Sequence, residues 1–249
     1  INNEKNYNNY LKVRLFEIFT SVEGEGILYG TKTLFVRLAG CPFTCFYCDT
    51  KESLPLDSGT EYSIEDANHL IDSNLKNQTY KVNFTGGDPL IQHEAVALLA
   101  KHIQDKKIPT YLESSCFDID RFNHVLPFID IVKIEFKTKD SDFVDTKHYE
   151  KFIGHTMKCL QSSVKSKKTT YIKVVVSSKT QPNEFAKLVQ EIFDKISKDD
   201  IVGFIIQPTY VISEPSLELL LELYDLVFPH YIDVKVVPQL HKFIGAPWC

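Results

Sequence analysis

Apolar residues recur along the chain in two patterns. Short β-type runs stand at residues 13–19, 33–38, 81–84, 110–112, 131–136, 171–176, 202–206 and 232–236. Stretches with helical spacing fill the gaps. Phe185, Leu188, Val189, Ile192, Phe193 and Ile196 form one apolar stripe at intervals of three and four. Leu90, Ile91, Ala95, Val96, Leu98, Leu99 and Ile103 form a second, and residues 214–227 a Leu-rich third with Pro215 near its start. Strand and helix thus alternate from residue 33 onward. Repeated βα units predict a parallel sheet, because parallel strands need crossover connections. Six or seven such strands suit an α/β fold of the open, partial (β/α) TIM-barrel type, with the run at 13–19 as an N-terminal extension. Chemistry in such folds sits at the C-terminal ends of strands. No repeat or low-complexity linker interrupts the pattern, so residues 1–249 are expected to form one domain. Residues 1–10 are Asn-rich and polar and are expected to be a loose tail.

Composition narrows the class. At 249 residues, 43% hydrophobic and 12% aromatic, the chain is long enough for a substantial core. No apolar run reaches the ~18 residues of a membrane span, and the N-terminus shows no cleavable leader. The expected setting is therefore cytoplasmic, away from membranes. The chain opens on Ile1, so its natural start is expected upstream. A formal charge of −5 and the lack of basic stretches alternating with aromatics argue against direct nucleic-acid binding. Residues 165–168 are a short basic run, read as a solvated loop.

Chemistry enters with the loop after the run at 33–38. Cys41, Cys45 and Cys48 stand there with three and two residues between them. Three thiolates on one loop can hold three irons of a [4Fe–4S] cube. The fourth iron then stays open to a substrate or cofactor. A structural zinc site would need a fourth ligand, commonly from a second Cys or His pair, and none stands at such spacing. Cys116, Cys159 and Cys249 lie far apart, which fits a reducing compartment rather than a disulfide framework. Cys116 is expected to be a small buried residue.

The spacing, with Tyr47 just before the last cysteine, resembles the signature of the radical S-adenosylmethionine (SAM) superfamily. The resemblance implies that SAM chelates the open iron and that reductive cleavage yields a 5′-deoxyadenosyl radical. Residues 83–90, Asn-Phe-Thr-Gly-Gly-Asp-Pro-Leu, sit between a strand and a helix. Their glycines would let backbone with free N–H donors approach a ligand. The superfamily has Gly-Gly-Glu here for the methionine amino group; this chain has Gly86, Gly87 and Asp88. Asp88 also reads as a helix N-cap ahead of Pro89. Glu113 and Ser115 end one strand, Glu135 and Lys137 the next, where the resemblance places contacts to SAM's ribose and carboxylate. Lys137 alone would equally suit a solvated lysine. Gln207 stands where contacts to the adenosine are expected.

The segment before the cysteines narrows the resemblance. Residues 17–26, Gly30 and residues 35–41 are similar to the 7-carboxy-7-deazaguanine synthase family, and the likeness continues through residues 48–50, 85–87, 207–208 and 237–242. That family converts 6-carboxy-5,6,7,8-tetrahydropterin to 7-carboxy-7-deazaguanine with loss of ammonia, on the route to queuosine or archaeosine, and depends on Mg²⁺. By that resemblance Arg37 would hold the substrate carboxylate, and Thr50 would offer Mg²⁺ an oxygen ligand. Thr85 and the backbone of Val22, Glu23 and Gly24 would hold the pterin edge. His241 would close the pocket, or serve the fold alone. A homodimer and an electron donor such as flavodoxin or ferredoxin are implied. Glu23 departs from the family's usual Gln, and an ionised Glu only accepts hydrogen bonds. Two other readings stay open on the sequence: a glycyl-radical-enzyme activase and a non-catalytic iron–sulfur protein.

Overall fold

The computed structural model describes residues 11–141 and 146–244; the tail expected at residues 1–10, and Cys249, lie outside them. Among the described residues the eight apolar runs and one further segment, β3, form nine strands in one sheet: β1 (Lys12–Val22), β2 (Lys32–Leu38), β3 (Thr60–Ser63), β4 (Lys81–Gly86), β5 (Thr110–Ser114), β6 (Ile131–Lys137), β7 (Thr169–Val176), β8 (Phe204–Pro208) and β9 (Val234–Val236). Their spatial order is β3-β1-β2-β4-β5-β6-β7-β8-β9. From β2 to β9 every neighbouring pair is parallel. β1 and β3 extend the β2 edge with antiparallel pairing. The sheet is open, with β3 and β9 as its two edges.

Among the described residues six helices carry the crossovers: α1 (Ile64–Asn74), α2 (His93–Asp105), α3 (Ile119–Val125), α4 (Thr146–Lys165), α5 (Pro182–Phe193) and α6 (Leu217–Val227). β3, α1, α3 and α4 were not among the expected elements. α6 starts three residues later than expected. The Ser216 side chain caps it by accepting from the Leu219 N–H, so Pro215 precedes the cap. β8 likewise starts later and takes in Gln207 and Pro208, which puts Gln207 within a strand end.

Strand side chains alternate between two faces. Val82, Phe84, Leu112, Val132, Ile134, Phe136, Ile172, Val174, Phe204 and Ile206 are buried against the helix stripes in the main core. The positions between them face the concave side. There Tyr111, Ile131, Tyr171 and Ile205 form a small second cluster, covered by Ile27, Leu28 and Val237. That cluster plugs the end of the bowl from which the parallel strands start. Above it the concave face is polar.

The open side is bridged by the segment after β9. Leu240 N–H donates to Gly24 O at 2.9 Å, and Gln239 Nε2 donates to Glu25 Oε1 at 2.6 Å. Lys242 Nζ reaches Asp49 Oδ2 at 3.2 Å. The last turn of the described chain thus ties the β9 side of the sheet to the loop after β1 and to the cysteine loop.

Candidate active site

A cavity of about 430 Å³ opens at the C-terminal ends of the parallel strands. Its wall brings together Glu23, Arg37, Cys41, Cys45, Tyr47, Cys48, Thr50, Thr85, Gly86, Gly87, Asp88, Glu113, Ser115, Glu135, Lys137, Gln207 and His241. Seventeen of the nineteen residues singled out in the sequence therefore meet on one surface. Val22 and Gly24 do not line it. Val22 ends β1 opposite Lys32. Glu23 N–H donates to Thr31 O and Glu23 O accepts from Gly30 N–H, while Gly24 O is taken by Leu240. Of this segment, the Glu23 side chain is what the cavity receives.

β2 delivers the cysteine loop to the rim. The three thiols are half-buried, whereas Cys116 and Cys159 are fully buried. Among the described residues no three His, Cys, Asp or Glu side chains converge on a point as a single ion would require. A cube attaches each thiolate to a separate iron, so three thiols standing apart around one cavity suit it. Burial, reinforced by the Asp88 carboxylate, pushes the Cys41 thiol up to about 12. Burial likewise raises Cys45, against the pull of Lys137. Thiols so placed become ligands when a metal's own charge removes their protons, which iron does.

The loop after β4 has a different reason for its glycines than the one expected. A Cβ on Gly86, whose φ is +132°, would lie 2.2 Å from Leu38 O, and one on Gly87 would lie 2.2 Å from Gly40 O. Glycine is required because this backbone packs against the cysteine loop itself. The N–H groups of Gly87 and Asp88 are not free: they donate to Leu38 O at 3.0 Å and Gly40 O at 2.7 Å. Asp88 caps the following turn as expected, accepting from Leu90 N–H. It also accepts from Ser114 Oγ at 2.8 Å, Ser115 N–H at 2.9 Å and Ser115 Oγ at 2.5 Å. Four donors fill the acceptor capacity of one carboxylate. Burial still raises its pKa despite those bonds. Asp88 thereby clasps the end of β5 to the start of the α2 segment.

Alternate positions of β5 to β7 supply the charged wall. Lys133, Glu135 and Lys137 on β6 and Lys173 on β7 are all buried and interlock. Glu135 lies 2.6 Å from Lys137, 3.0 Å from Lys133 and 3.1 Å from Lys173. Lys173 also meets Glu25 at 2.6 Å, and Lys133 lies 3.5 Å from Glu113. Against burial, which favours neutrality, Glu135 holds the Lys137 ammonium well above the ordinary lysine range. Lys137 is thus no solvated lysine; it sits 5.5 Å over the Tyr47 ring beside the cysteines. Burial would raise Glu113 too, but Lys133 and Lys173 hold it down to about 2. Gln207 Oε1 is a buried acceptor that finds no hydrogen-bond partner among the described residues.

On the β2 side, Arg37 Nε donates to Glu17 Oε1 at 2.6 Å, which fixes the guanidinium beside the cavity. The Thr50 hydroxyl makes no cap for the turn it precedes, and its polar neighbour is Cys48 Sγ at 4.0 Å. His241 is 3% exposed, with Nε2 3.5 Å from Asp49 Oδ2. Burial pushes the Asp49 carboxyl up, but His241 and Lys242 outweigh it and hold it well below the usual carboxylate range.

The wall also contains residues the sequence reading missed, including Glu25, Lys133, Lys173 and Gln239. Lys133 was legible: charges at every second position, 133, 135 and 137, inside an apolar run mark a strand whose second face is polar. Glu25 and Gln239 carry no such pattern, since a loop and the chain's last turn place them.

A family model described as a 4Fe-4S single cluster domain matches residues 22–151. The 7-carboxy-7-deazaguanine synthase of Archaeoglobus fulgidus is 31% identical over 245 residues, covering 95% of this chain and 100% of its own length. That of Methanocaldococcus jannaschii is 29% identical, over 92% of this chain and 98% of its own. Among solved structures, QueE from Escherichia coli superposes with a TM-score of 0.64 at 19% identity, covering 96% of this chain and 99% of that one. A radical SAM methyltransferase from Sphaerobacter thermophilus gives 0.60 at 11% identity, over 84% and 66%.

Proposed function

Because the chain belongs to the 7-carboxy-7-deazaguanine synthase family, we infer that it is a radical SAM enzyme converting 6-carboxy-5,6,7,8-tetrahydropterin to 7-carboxy-7-deazaguanine. The observation that carries this reading is the single cavity that gathers a three-thiol loop, a charged polar wall and a buried carboxylate at its floor. A simple electron carrier would need no such cavity. The ring contraction releases one ammonia and is redox-neutral overall, so it suits a cofactor that is regenerated.

Cys41, Cys45 and Cys48 would each hold one iron, leaving the fourth for SAM. When bound, the cluster and SAM would supply the one-electron chemistry that abstracts a hydrogen from the substrate. The protein's part is to position and to shield. Lys137, kept protonated by Glu135 and lying over the Tyr47 ring, would offset the methionine carboxylate. Glu113, Ser115 and Gln207 line the wall where the ribose and adenine would lie, with the Gln207 amide oxygen as a spare acceptor. Gly86, Gly87 and Asp88 serve by holding the cysteine loop and Ser115 in place. Arg37 would take the substrate carboxylate, with Glu23, Thr85 and His241 around the ring.

Mg²⁺ would belong to this reading too, and the Thr50 hydroxyl would offer it an oxygen ligand. Thr50→Ala should lose Mg²⁺ stimulation of product formation while keeping SAM cleavage; unchanged Mg²⁺ dependence would remove Thr50 from that role. A one-electron donor of the flavodoxin or ferredoxin kind, a homodimer, and a product destined for queuosine or archaeosine complete the proposal. The decisive experiment incubates reduced, reconstituted protein with SAM, Mg²⁺ and the carboxytetrahydropterin. Mass spectrometry should find 7-carboxy-7-deazaguanine. SAM cleavage without that product would refute the substrate assignment.

A further inference from the structure

Glu23 is 2% exposed, yet its side chain forms part of the cavity wall. Beneath it lies Lys81, at the start of β4, with no exposed surface. Lys81 Nζ donates to Glu23 Oε2 at 2.6 Å and to Thr33 Oγ1 at 2.6 Å. It stands 4.9 Å over the Tyr111 ring, and it does not line the cavity. Asn83 Nδ2 adds a longer contact to the same carboxylate oxygen at 3.4 Å. Among the described residues, every hydrogen bond to the Glu23 carboxylate thus falls on Oε2. Oε1 takes none of them, and Glu23 lines the cavity.

An ammonium offers three donors and no acceptor. Buried against Glu23, it can turn only an oxygen toward itself. For a carboxylate the remaining atom is again an acceptor. For an amide held the same way, the remaining group is an NH₂ donor. The ion pair therefore decides which hydrogen-bonding sense the cavity floor presents. An isolated carboxylate at this depth would take up a proton and present both senses.

We propose that Lys81 is a positioning residue for specificity: it locks Glu23 so that Oε1 accepts from a donor edge of the bound heterocycle, the ring N–H and exocyclic amino group of a 2-aminopyrimidinone. The inference rests on the pterin reading above and adds to it the means by which one edge of the ring is chosen. Lys81 touches no substrate and acts through Glu23.

Two oxidised ligands with the same carboxylate separate the outcomes. In 6-carboxypterin the 2-position carries an amino donor; in 6-carboxylumazine it carries an oxo acceptor. Equilibrium binding of each to the SAM-loaded, reconstituted protein is followed by ligand fluorescence at about pH 8, with cluster absorbance and SAM binding as controls. Wild type should prefer the pterin by about tenfold or more, since a polar site left facing the wrong partner rejects it strongly. Lys81→Met should cut that preference to about threefold or less while cluster absorbance and SAM binding persist. Glu23→Gln, which keeps Lys81 and the side-chain shape, should cancel or invert the preference, because the amide then turns NH₂ to the cavity. The double variant should lose no more preference than the larger single loss, as expected of two residues acting as one unit. A preference surviving in Lys81→Met or in Glu23→Gln would overturn the proposal. So would equal weakening of both ligands, which would mark Lys81 as serving the fold alone. Wild type binding SAM but neither ligand would instead refute the pterin reading, and this inference with it.

Discussion

Glu23 shows how a single side chain couples fold to chemistry. Burial pushes its carboxyl up to about 7; Lys81 opposes the rise, and Glu113 and Glu25 add to it. The native state therefore binds this proton more tightly than the unfolded chain. Stability from the group is complete below about pH 4.5 and is lost as pH rises through about 7. Glu23→Gln abolishes the titration, so the thermal midpoint of wild type relative to this variant should fall between about pH 5 and about pH 8. A difference that stays level would show that Lys81 already holds the carboxylate ionised in the empty protein. The thiols give a second test at this scale. Cys41→Ala, Cys45→Ala and Cys48→Ala should each abolish the cluster's charge-transfer absorbance, whereas Cys116→Ala should keep it, since Cys116 is buried in the core with its N–H on Ser114 Oγ. Equal loss in Cys116→Ala would break the assignment.

Elements explain what the residues alone leave open. The loop after β4 resembles a ligand-binding turn in sequence, yet its glycines meet the cysteine loop. Gly87→Ala would drive a Cβ to 2.2 Å from Gly40 O and 3.0 Å from Cys41 N. Backbone cannot swing aside as a side chain can, so the variant should lose about 2–4 kcal/mol in denaturant unfolding. It should also retain less than about half the iron of wild type, because the strain falls on the residue beside the first ligand. Full iron content with unchanged stability would contradict the packing described. The same scale shows why parts of the fold were legible. α5 carries an unbroken stripe of Phe185, Leu188, Val189 and Ile192, all buried, and it was read correctly. α4 buries Phe152, Met157 and Leu160, but Thr156, Cys159 and Ser163 share its core face and blur the period. α1 is short and buries only Ile64, Ala67 and Ile71. Its surer mark was Ser63, whose side chain accepts from the Asp66 N–H.

Across the whole molecule, the βα order could be read from periodicity, and with it the rule that loops after strands hold the chemistry. The closure of the bowl could not. No local pattern says that Gln239 meets Glu25, or that His241 packs on Gly24; only the assembled sheet brings them together. A Cβ on Gly24 would lie 2.4 Å from His241 Nδ1. Gly24→Ala should therefore displace the last turn, raising the Michaelis constant for the pterin by about tenfold or more while SAM cleavage without substrate changes by less than about threefold. Equal loss of both activities would place the effect in general misfolding instead.

That closing turn also sets an order in time. Gln239 and Glu25 bond across 214 positions of sequence, so the contact has to wait until nearly all the described chain has been made. At roughly 5–20 residues per second, synthesis places Cys41, Cys45 and Cys48 in solution some ten seconds or more before the turn that shuts the bowl exists. For that interval the thiols are open to oxidants and to stray metals. A newborn chain is therefore most vulnerable before it has an active site at all, and delivery of iron and sulfide is best matched to a finished polypeptide rather than a growing one.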